Sequence, residues 1–598
     1  MSPARARWLS VIRQLLRVAT LAALVGLVVE IGFPVDAGLR NWIRSGQLAA
    51  IGMFLIHRAL AFAWSGNRRA HLRTYWIEFA LLVLILLDLT LALFFERSAL
   101  VTSAWFLGVQ LCLVAQFVLG LSRLQEWLTR QSVRPGLLLV GGFVLLALVG
   151  AGLLSLPLAR ANGVAEWTFS DAFFTSTSAV CVTGLSVRDV GSELSLRGQV
   201  ILLGLIQVGG LGLVTLACGT GVLERGRLGV RELNVVAETL GIAAPGRIRR
   251  FLAFVLGFTF VAEALGAALL WFGTRDVDLG GHDRAWWCTF HAVSAFCNAG
   301  FGLSPASLMP WSQEPFIVLT IAGLIVLGGL GFGVHMDVFA QRPLSFDTWR
   351  WLRWRLSESI WWPFRHRVFE TPVRPRLSLN SRLVLATTGI LLAAGALTFL
   401  GAESRHALAG LPPGERWVAS IFQSVTARTA GFNSVDIASL QPPTLLLLIL
   451  LMLVGASPLS TGGGIRTTTV AVALLAVRAM TRGREYVEAF GRTIALPVVH
   501  ACIAIAVMYA AALVVVTAAL LATQPGVALT DAFFESVSAL STVGLSTGLT
   551  AKLDTTGRWI LCAAMIGGRV GPLAVLWMFV VRPRPIRYRY PEEPVVIA

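Results

Sequence analysis

The chain has 598 residues, 56% hydrophobic and only 14% charged, with a mean hydropathy of +0.74. That balance excludes a soluble globular domain of this length and points to a polytopic membrane protein. The formal net charge of +17 would suit a nucleic-acid binder, but the arginines fall in the connections on one side of the apolar runs, so it reads as topology and no nucleic-acid partner is expected. Met1–Glu30 has the outline of a signal peptide, with Arg5, Arg7, Arg13 and Arg17 ahead of an apolar stretch. The stretch is long and no small-x-small site ends it, so it reads as a retained first span. Residues 1–130 form an N-terminal membrane region with four expected spans, at 10–32, 46–64, 75–95 and 101–121. Arg68, Arg69 and Arg73 after the second span, and Arg123, Arg130 and Arg134 after the fourth, place both exits in the cytoplasm. Asp88 sits inside the third span; a packing or interfacial role is favoured over function. No span carries an arginine at every third position, so no voltage sensor is expected.

From residue 136 one unit recurs four times: a span, a short semi-polar helix, a glycine turn, a span. The units are 136–224, 250–340, 382–480 and 497–581, followed by a cytoplasmic tail at 582–598. The clearest copies are Asp171-Ala172-Phe173-Phe174, running to Val182-Thr183-Gly184, and Asp531-Ala532-Phe533-Phe534, running to Thr542-Val543-Gly544. Weaker copies end in Asn298-Ala299-Gly300 and Thr429-Ala430-Gly431. Each short helix is too short and too polar to span a bilayer, which takes ~20 apolar residues. Flanked by spans, it reads as a re-entrant segment, tolerated where protein buries it or water lines it. Four such segments around one axis would form a filter of backbone carbonyls that replace an ion's hydration shell. The twelve residues of those four tripeptides are the candidate filter, with glycine allowing the positive φ that turns a carbonyl. K⁺ at these carbonyls is the one expected metal, as transported ion, and no cofactor is expected. The architecture is therefore an all-α polytopic membrane protein with four parallel membrane–pore–membrane repeats.

The basic stretches 224–250, 341–382, 478–492 and 582–589 should all lie inside, with both chain termini. Stretch 341–382, with Trp349, Trp351, Trp354, Trp361 and Trp362, suits a helix on membrane-lipid headgroups; a docking surface is the competing reading. The closing spans carry Gly209-Gly210-Leu211-Gly212, Gly328-Gly329-Leu330-Gly331 and Gly567-Gly568-Arg569-Val570-Gly571. Close packing accounts for the first two. The third closing span is interrupted by Gly455 to Arg466, including Gly462-Gly463-Gly464, and should break into a flexible loop under the filter. Arg569 lies deep in the fourth. A pore position is favoured over a structural pair, for which Glu263 is the available acid. The carbonyls of Gly462–Gly464 are expected to hold its guanidinium.

At these residues the chain resembles the Trk/Ktr/HKT superfamily of potassium transporters over about 136–581. The specific parts are Arg428-Thr429-Ala430-Gly431-Phe432-Asn433-Ser434, Gly455-Ala456-Ser457-Pro458 with Thr461 to Thr469, and Ser541 to Ser546. The resemblance implies potassium uptake across the bacterial inner (plasma) membrane. It also implies a homodimer with one pore per protomer and a cytoplasmic nucleotide-binding regulatory subunit of the RCK (TrkA/KtrA) type. In it, Gly462, Gly463, Gly464 and Arg569 gate the pore. Val182 departs from the family, where two threonines are frequent, and the extra N-terminal spans have no assigned role.

A Na⁺-permeable or Na⁺-coupled transporter of the same superfamily is the alternative. A membrane-embedded enzyme is disfavoured: there is no His-Glu-x-x-His, Walker A or Gly-x-Ser-x-Gly motif, and His291 and His500 stand alone. A carrier of organic solutes would show inverted repeats, whereas these run parallel. The seven cysteines form no Cys-x-x-Cys pair and read as small buried residues.

Overall fold

The computed structural model describes parts of residues 12–32 and all of 33–64, 135–212, 248–341 and 377–571. The expected spans at 75–95 and 101–121, Asp88, the tryptophan-rich stretch within 342–376 and the tail at 582–598 lie outside the described residues. Helix α1, Ala37–Ala63, starts ahead of the apolar run expected at 46–64. Its first turns are polar, and Arg44 pairs there with Glu30 at 2.9 Å, so hydropathy alone misses them.

Four units follow, each with an opening helix, a short pore helix and a closing helix. The opening helices are α2 (Pro135–Leu154), α5 (Ile248–Gly273), α9 (Leu379–Glu403) and α13 (Leu496–Thr523). The pore helices are α3 (Phe169–Val180), α6 (Arg284–Phe296), α10 (Pro413–Thr426) and α14 (Leu529–Leu540). The closing helices are α4 (Leu196–Leu211), α7 (Pro315–Leu330), α11 (Pro442–Leu453) and α15 (Thr555–Val570). Two continue past a break, as α8 (Phe332–Gln341) and α12 (Thr467–Thr481). A hairpin of β1 (Val487–Ala489) and β2 (Arg492–Ile494) joins α12 to α13.

The pore helices form the centre. Each buries one phenylalanine at the same place, Phe174, Phe290, Phe422 and Phe534. Their hydroxyls are buried too and tie to neighbours: Ser176 donates to the Ala147 carbonyl (2.8 Å) and Ser424 to that of Leu392 (2.9 Å). The opening helices instead expose apolar side chains such as Ile390, Leu397, Val514 and Val515, the arrangement that lipid requires.

The closing-helix glycines meet the pore-helix ends. A Cβ on Gly209, Gly328 or Gly568 would lie 2.1, 1.9 or 1.8 Å from the carbonyl oxygen of Val180, Phe296 or Leu540. Close packing is therefore real, but it is not the whole account of these clusters. Helices α4, α7 and α15 stop at Gly212, Gly331 and Gly571, with φ of +78°, +88° and +91°. A left-handed residue ends a helix, and glycine takes that conformation without a Cβ penalty. The second closing span is consequently broken, not continuous as expected: α8 leaves Gly331 at 94° to α7.

The first and last repeats meet without a chain connection between them. There Arg558, in the first turn of α15, donates to the Asp171 carboxylate at 2.6 Å, and Arg188 approaches the same group at 3.5 Å. Asp171 is 1% exposed and also completes a capping box with Thr168 at the start of α3.

Candidate functional site

Each pore helix ends directly in its tripeptide. Val182, Asn298, Thr429 and Thr542 have φ of +56°, +59°, +68° and +51°. Two residues on, Gly184, Gly300, Gly431 and Gly544 have +94°, +70°, +78° and +97°. Non-glycine residues rarely adopt the left-handed region, least of all a β-branched valine or threonine. Such strain persists only where the surroundings over-determine it. The middle residues Thr183, Ala299, Ala430 and Val543 are not left-handed, so handedness alternates along all four segments in the same register.

The four segments form a ring. A Cβ on Gly184 would lie 2.5 Å from the Ala299 oxygen, one on Gly300 2.5 Å from that of Ala430, and one on Gly431 2.5 Å from that of Val543. One on Gly544 would lie 2.1 Å from the Thr183 oxygen, which brings the fourth segment back to the first. Glycine is thus required twice over here, for conformation and for space.

Backbone N–H groups of the segments are turned into the pore helices. Thr183 and Val543 donate to the carbonyls of Ser178 and Ser538 at 2.8 Å, and Ala299 to that of Ser294 at 2.7 Å. Hydroxyls finish the support in two ways. Ser178 and Ser538 accept from Gly184 and Gly544 N–H at 3.1 Å, whereas Ser294 and Thr426 donate to the carbonyls of Phe301 and Phe432 at 2.7 Å. Helix C-termini carry partial negative charge, so four of them beside one ring favour a cation. The residues that open the segments differ: three carry polar groups, Asn298, Thr429 and Thr542, and one, Val182, does not. Asn298 lies 3.4 Å from the Thr429 hydroxyl.

Under this ring runs the irregular stretch 454–466 between α11 and α12. A Cβ on Gly462 would meet the Thr429 hydroxyl at 2.2 Å, and one on Gly463 the Thr542 hydroxyl at 2.2 Å. Gly464 is left-handed, with φ +75°. The end of α7 takes up much of the freed backbone. Ser457 N–H donates to the Gly329 carbonyl (3.0 Å), Thr461 N–H to Gly328 (3.4 Å), and Phe332 N–H to Leu459 (2.9 Å). Some of it pairs within the stretch, as Ala456 N–H does with the Gly463 carbonyl (3.1 Å), and arginines take up further carbonyls. Arg569 donates to the carbonyls of Thr461 and Gly209. Arg466 donates to Gly462 (2.7 Å) and Ser457 (3.3 Å), and Arg428 to Gly455 (3.4 Å).

One sequence expectation changes, and the disfavoured pairing of Arg569 with Glu263 is absent. The Arg569 guanidinium rests on Thr461 and Gly209, while the Gly462 carbonyl belongs to Arg466. Glu263 is not its partner: that carboxylate accepts from Gln207 at 3.0 Å and faces the Cys297 thiol at 3.8 Å. The roles of Arg466 and Arg428 were not singled out from sequence. The readable signal was an arginine closing a triple-glycine run inside an apolar segment. Among the described residues no group of three His, Cys, Asp or Glu is placed to hold a metal, so carbonyls and hydroxyls are the donors this site offers.

Residues 151–586 match the family model described as TrkH, cation transport protein. The chain belongs to the TrkH family of cation transport proteins. It is 36% identical to Ktr system potassium uptake protein B of Vibrio alginolyticus over 456 residues, covering 76% of this chain and 93% of that protein. It is 32% identical to the potassium/sodium uptake protein NtpJ of Enterococcus hirae over 477 residues, 78% of this chain and 98% of that one. The crystal structure of the potassium transporter TrkH from Vibrio parahaemolyticus superposes with a TM-score of 0.57 at 19% identity, covering 84% of this chain and 97% of that one, a likeness of fold. The family is one of membrane transporters, not enzymes.

Proposed function

We propose that the chain takes up K⁺ across the plasma membrane through the ring of Val182–Gly184, Asn298–Gly300, Thr429–Gly431 and Thr542–Gly544. The observation that carries this reading is the fourfold register of left-handed backbone, glycine included, closed into one ring. Carbonyls so placed replace an ion's water shell. In the same reading, stretch 454–466 with Gly462, Gly463 and Gly464 blocks the path below the ring, and Arg569 adds a repelling charge. Both termini face the cytoplasm. The functional unit is a homodimer under a cytoplasmic nucleotide-binding subunit of the RCK (TrkA/KtrA) type, whose binding shifts the stretch, a two-state population change.

A second reading, appreciable Na⁺ passage, draws on two observations. Val182 removes one polar group from the opening ring, and one relative is named a potassium/sodium uptake protein. Flux into liposomes holding the purified protein, with K⁺, Rb⁺ and Na⁺ in turn, decides between them. K⁺ and Rb⁺ are expected to pass in preference to Na⁺, with moderate selectivity because each segment has a single glycine. Gly184→Ser places a Cβ against the Ala299 oxygen and should raise relative Na⁺ permeability several-fold. Equal K⁺ and Na⁺ flux through the unaltered protein would overturn the first reading.

A further inference from the structure

In the hairpin between α12 and α13, Val487 pairs with Ile494 and Ala489 with Arg492, leaving Phe490-Gly491 as a two-residue turn. Both turn residues are left-handed, φ +51° and +72°. This is the type I′ pattern that matches strand twist, and Asn-Gly is its favoured filling. A phenylalanine there is a strained choice. Phe490 is nevertheless 52% exposed, so packing among the described residues does not account for it.

The rest of the hairpin faces two ways. Val487 and Ala489 point inward, Val487 onto Val472, Ala476 and Ala479 of α12 and Val499 of α13. Tyr486, Glu488 and Phe490 point outward. Arg478, Arg482, Arg484 and Arg492 are all exposed, against Glu485 and Glu488, with Arg484 paired to Glu488 at 3.3 Å. Depth is set by the neighbours. Helix α13, apolar and 28 residues long, begins two residues after β2. The exposed Leu474 and Val477 of α12 lead through Met480 to the hairpin. An aromatic tip with arginines at the end of a span is the composition of the headgroup layer.

We propose that this hairpin docks on anionic lipid headgroups of the adjacent leaflet. Phe490 and Tyr486 enter the interface, and Arg478, Arg482 and Arg492 meet lipid phosphates. A soluble acidic partner would use the same charges, but the exposed apolar Leu474, Val477 and Met480 along α12 and the exposed Tyr486 and Phe490 of the hairpin favour lipid. The docking has a target inside the protein. Arg466 caps the start of α12 and holds the Gly462 carbonyl, while the other end of α12 carries the hairpin. Fixing the hairpin on charged lipid fixes the helix from which stretch 454–466 hangs, a consequence that rests on the gating role proposed above.

The test is hydrogen exchange of residues 482–496 in the full-length protein, in nanodiscs of phosphatidylcholine alone or mixed with phosphatidylglycerol. Exchange should slow in the anionic discs, by about fivefold for each engaged arginine. The triple change Arg478→Gln, Arg482→Gln, Arg492→Gln should abolish that difference. Phe490→Asn, which suits the left-handed turn and so should fold at least as well, should reduce it. In liposomes, K⁺ flux of the unaltered protein should depend on phosphatidylglycerol, and that of the triple variant should not. Equal exchange in both lipids overturns the docking and leaves the hairpin as a face for a soluble partner. Lipid-dependent exchange with lipid-independent flux retains the docking and overturns its link to α12. The exchange measurement needs no transport, so it stands apart from the functional reading.

Discussion

In the second repeat the closing span gives up its helix at Gly331 and resumes at once as α8, turned by 94°. In the third it gives it up over 454–466 before resuming as α12. A one-residue break frees few backbone groups, and the partner stretch absorbs them: the carbonyls of Gly328 and Gly329 accept from Thr461 and Ser457. A thirteen-residue break (454 through 466) frees many more; some pair within the stretch, as Ala456 N–H does with the Gly463 carbonyl at 3.1 Å, and three arginines take up others, Arg466 from the stretch itself and Arg569 and Arg428 from outside it. The short break redirects the chain. The long break puts a peptide segment under the ring.

The comparison is broken most directly at Arg569. At an effective dielectric near 20, two unit charges 4 Å apart repel by about 4 kcal/mol. Arg569→Ala removes that charge and the tie to Thr461, so K⁺ flux per folded protein should rise at least about tenfold without any regulator. Arg569→Lys keeps the charge but loses the planar fork that reaches Thr461 and Gly209 together, and should leak by an intermediate amount. Unchanged or lower flux in the alanine variant would mean that the long break is a static support.

Arg466→Gln sharpens the picture. It frees the Gly462 and Ser457 carbonyls while Arg569 and its charge stay in place, so a smaller rise than that of Arg569→Ala is expected, from the loss of two charge-assisted contacts. Combined with Arg569→Ala its effect should not simply add, because both side chains hold one stretch. Additive effects would show two separate devices.

The smallest effect on flux should come from the short break. Gly331→Ala puts a Cβ 2.3 Å from the Pro458 oxygen and strains φ +88°. It should cost about 1–3 kcal/mol, read as a lower melting temperature, with K⁺/Na⁺ selectivity unaltered. A change in selectivity would make Gly331 part of the filter's support instead of a hinge.

The sequence made some of this legible, and the reason is repetition. Each filter glycine closes a short semi-polar helix between apolar runs, and four copies in one register leave little freedom in where they go. The opening and closing helices were readable because a long apolar run leaves a span few alternatives. The break at Gly331 was not, since Gly328–Gly331 repeats the pattern of Gly209–Gly212 and either reads as packing; local composition does not state which glycine will take a positive φ. Nor was the seat of Arg569. Gly209 lies 360 residues away, and only the closed ring brings it near. For Arg466 the sequence marks only an arginine closing a triple-glycine run; its acceptor, a backbone carbonyl four residues earlier, has no signature in side-chain chemistry.

The pair Asp171–Arg558 spans 387 residues. Its two halves are made far apart in time on the ribosome, and three repeats wait in the bilayer with one flank of the pore open until α15 arrives. Through that interval the Asp171 carboxylate lacks its nearest cation and has only Arg188, of its own repeat, at 3.5 Å. Arrival of the final repeat supplies Arg558 and closes the flank between the first and last repeats in one step.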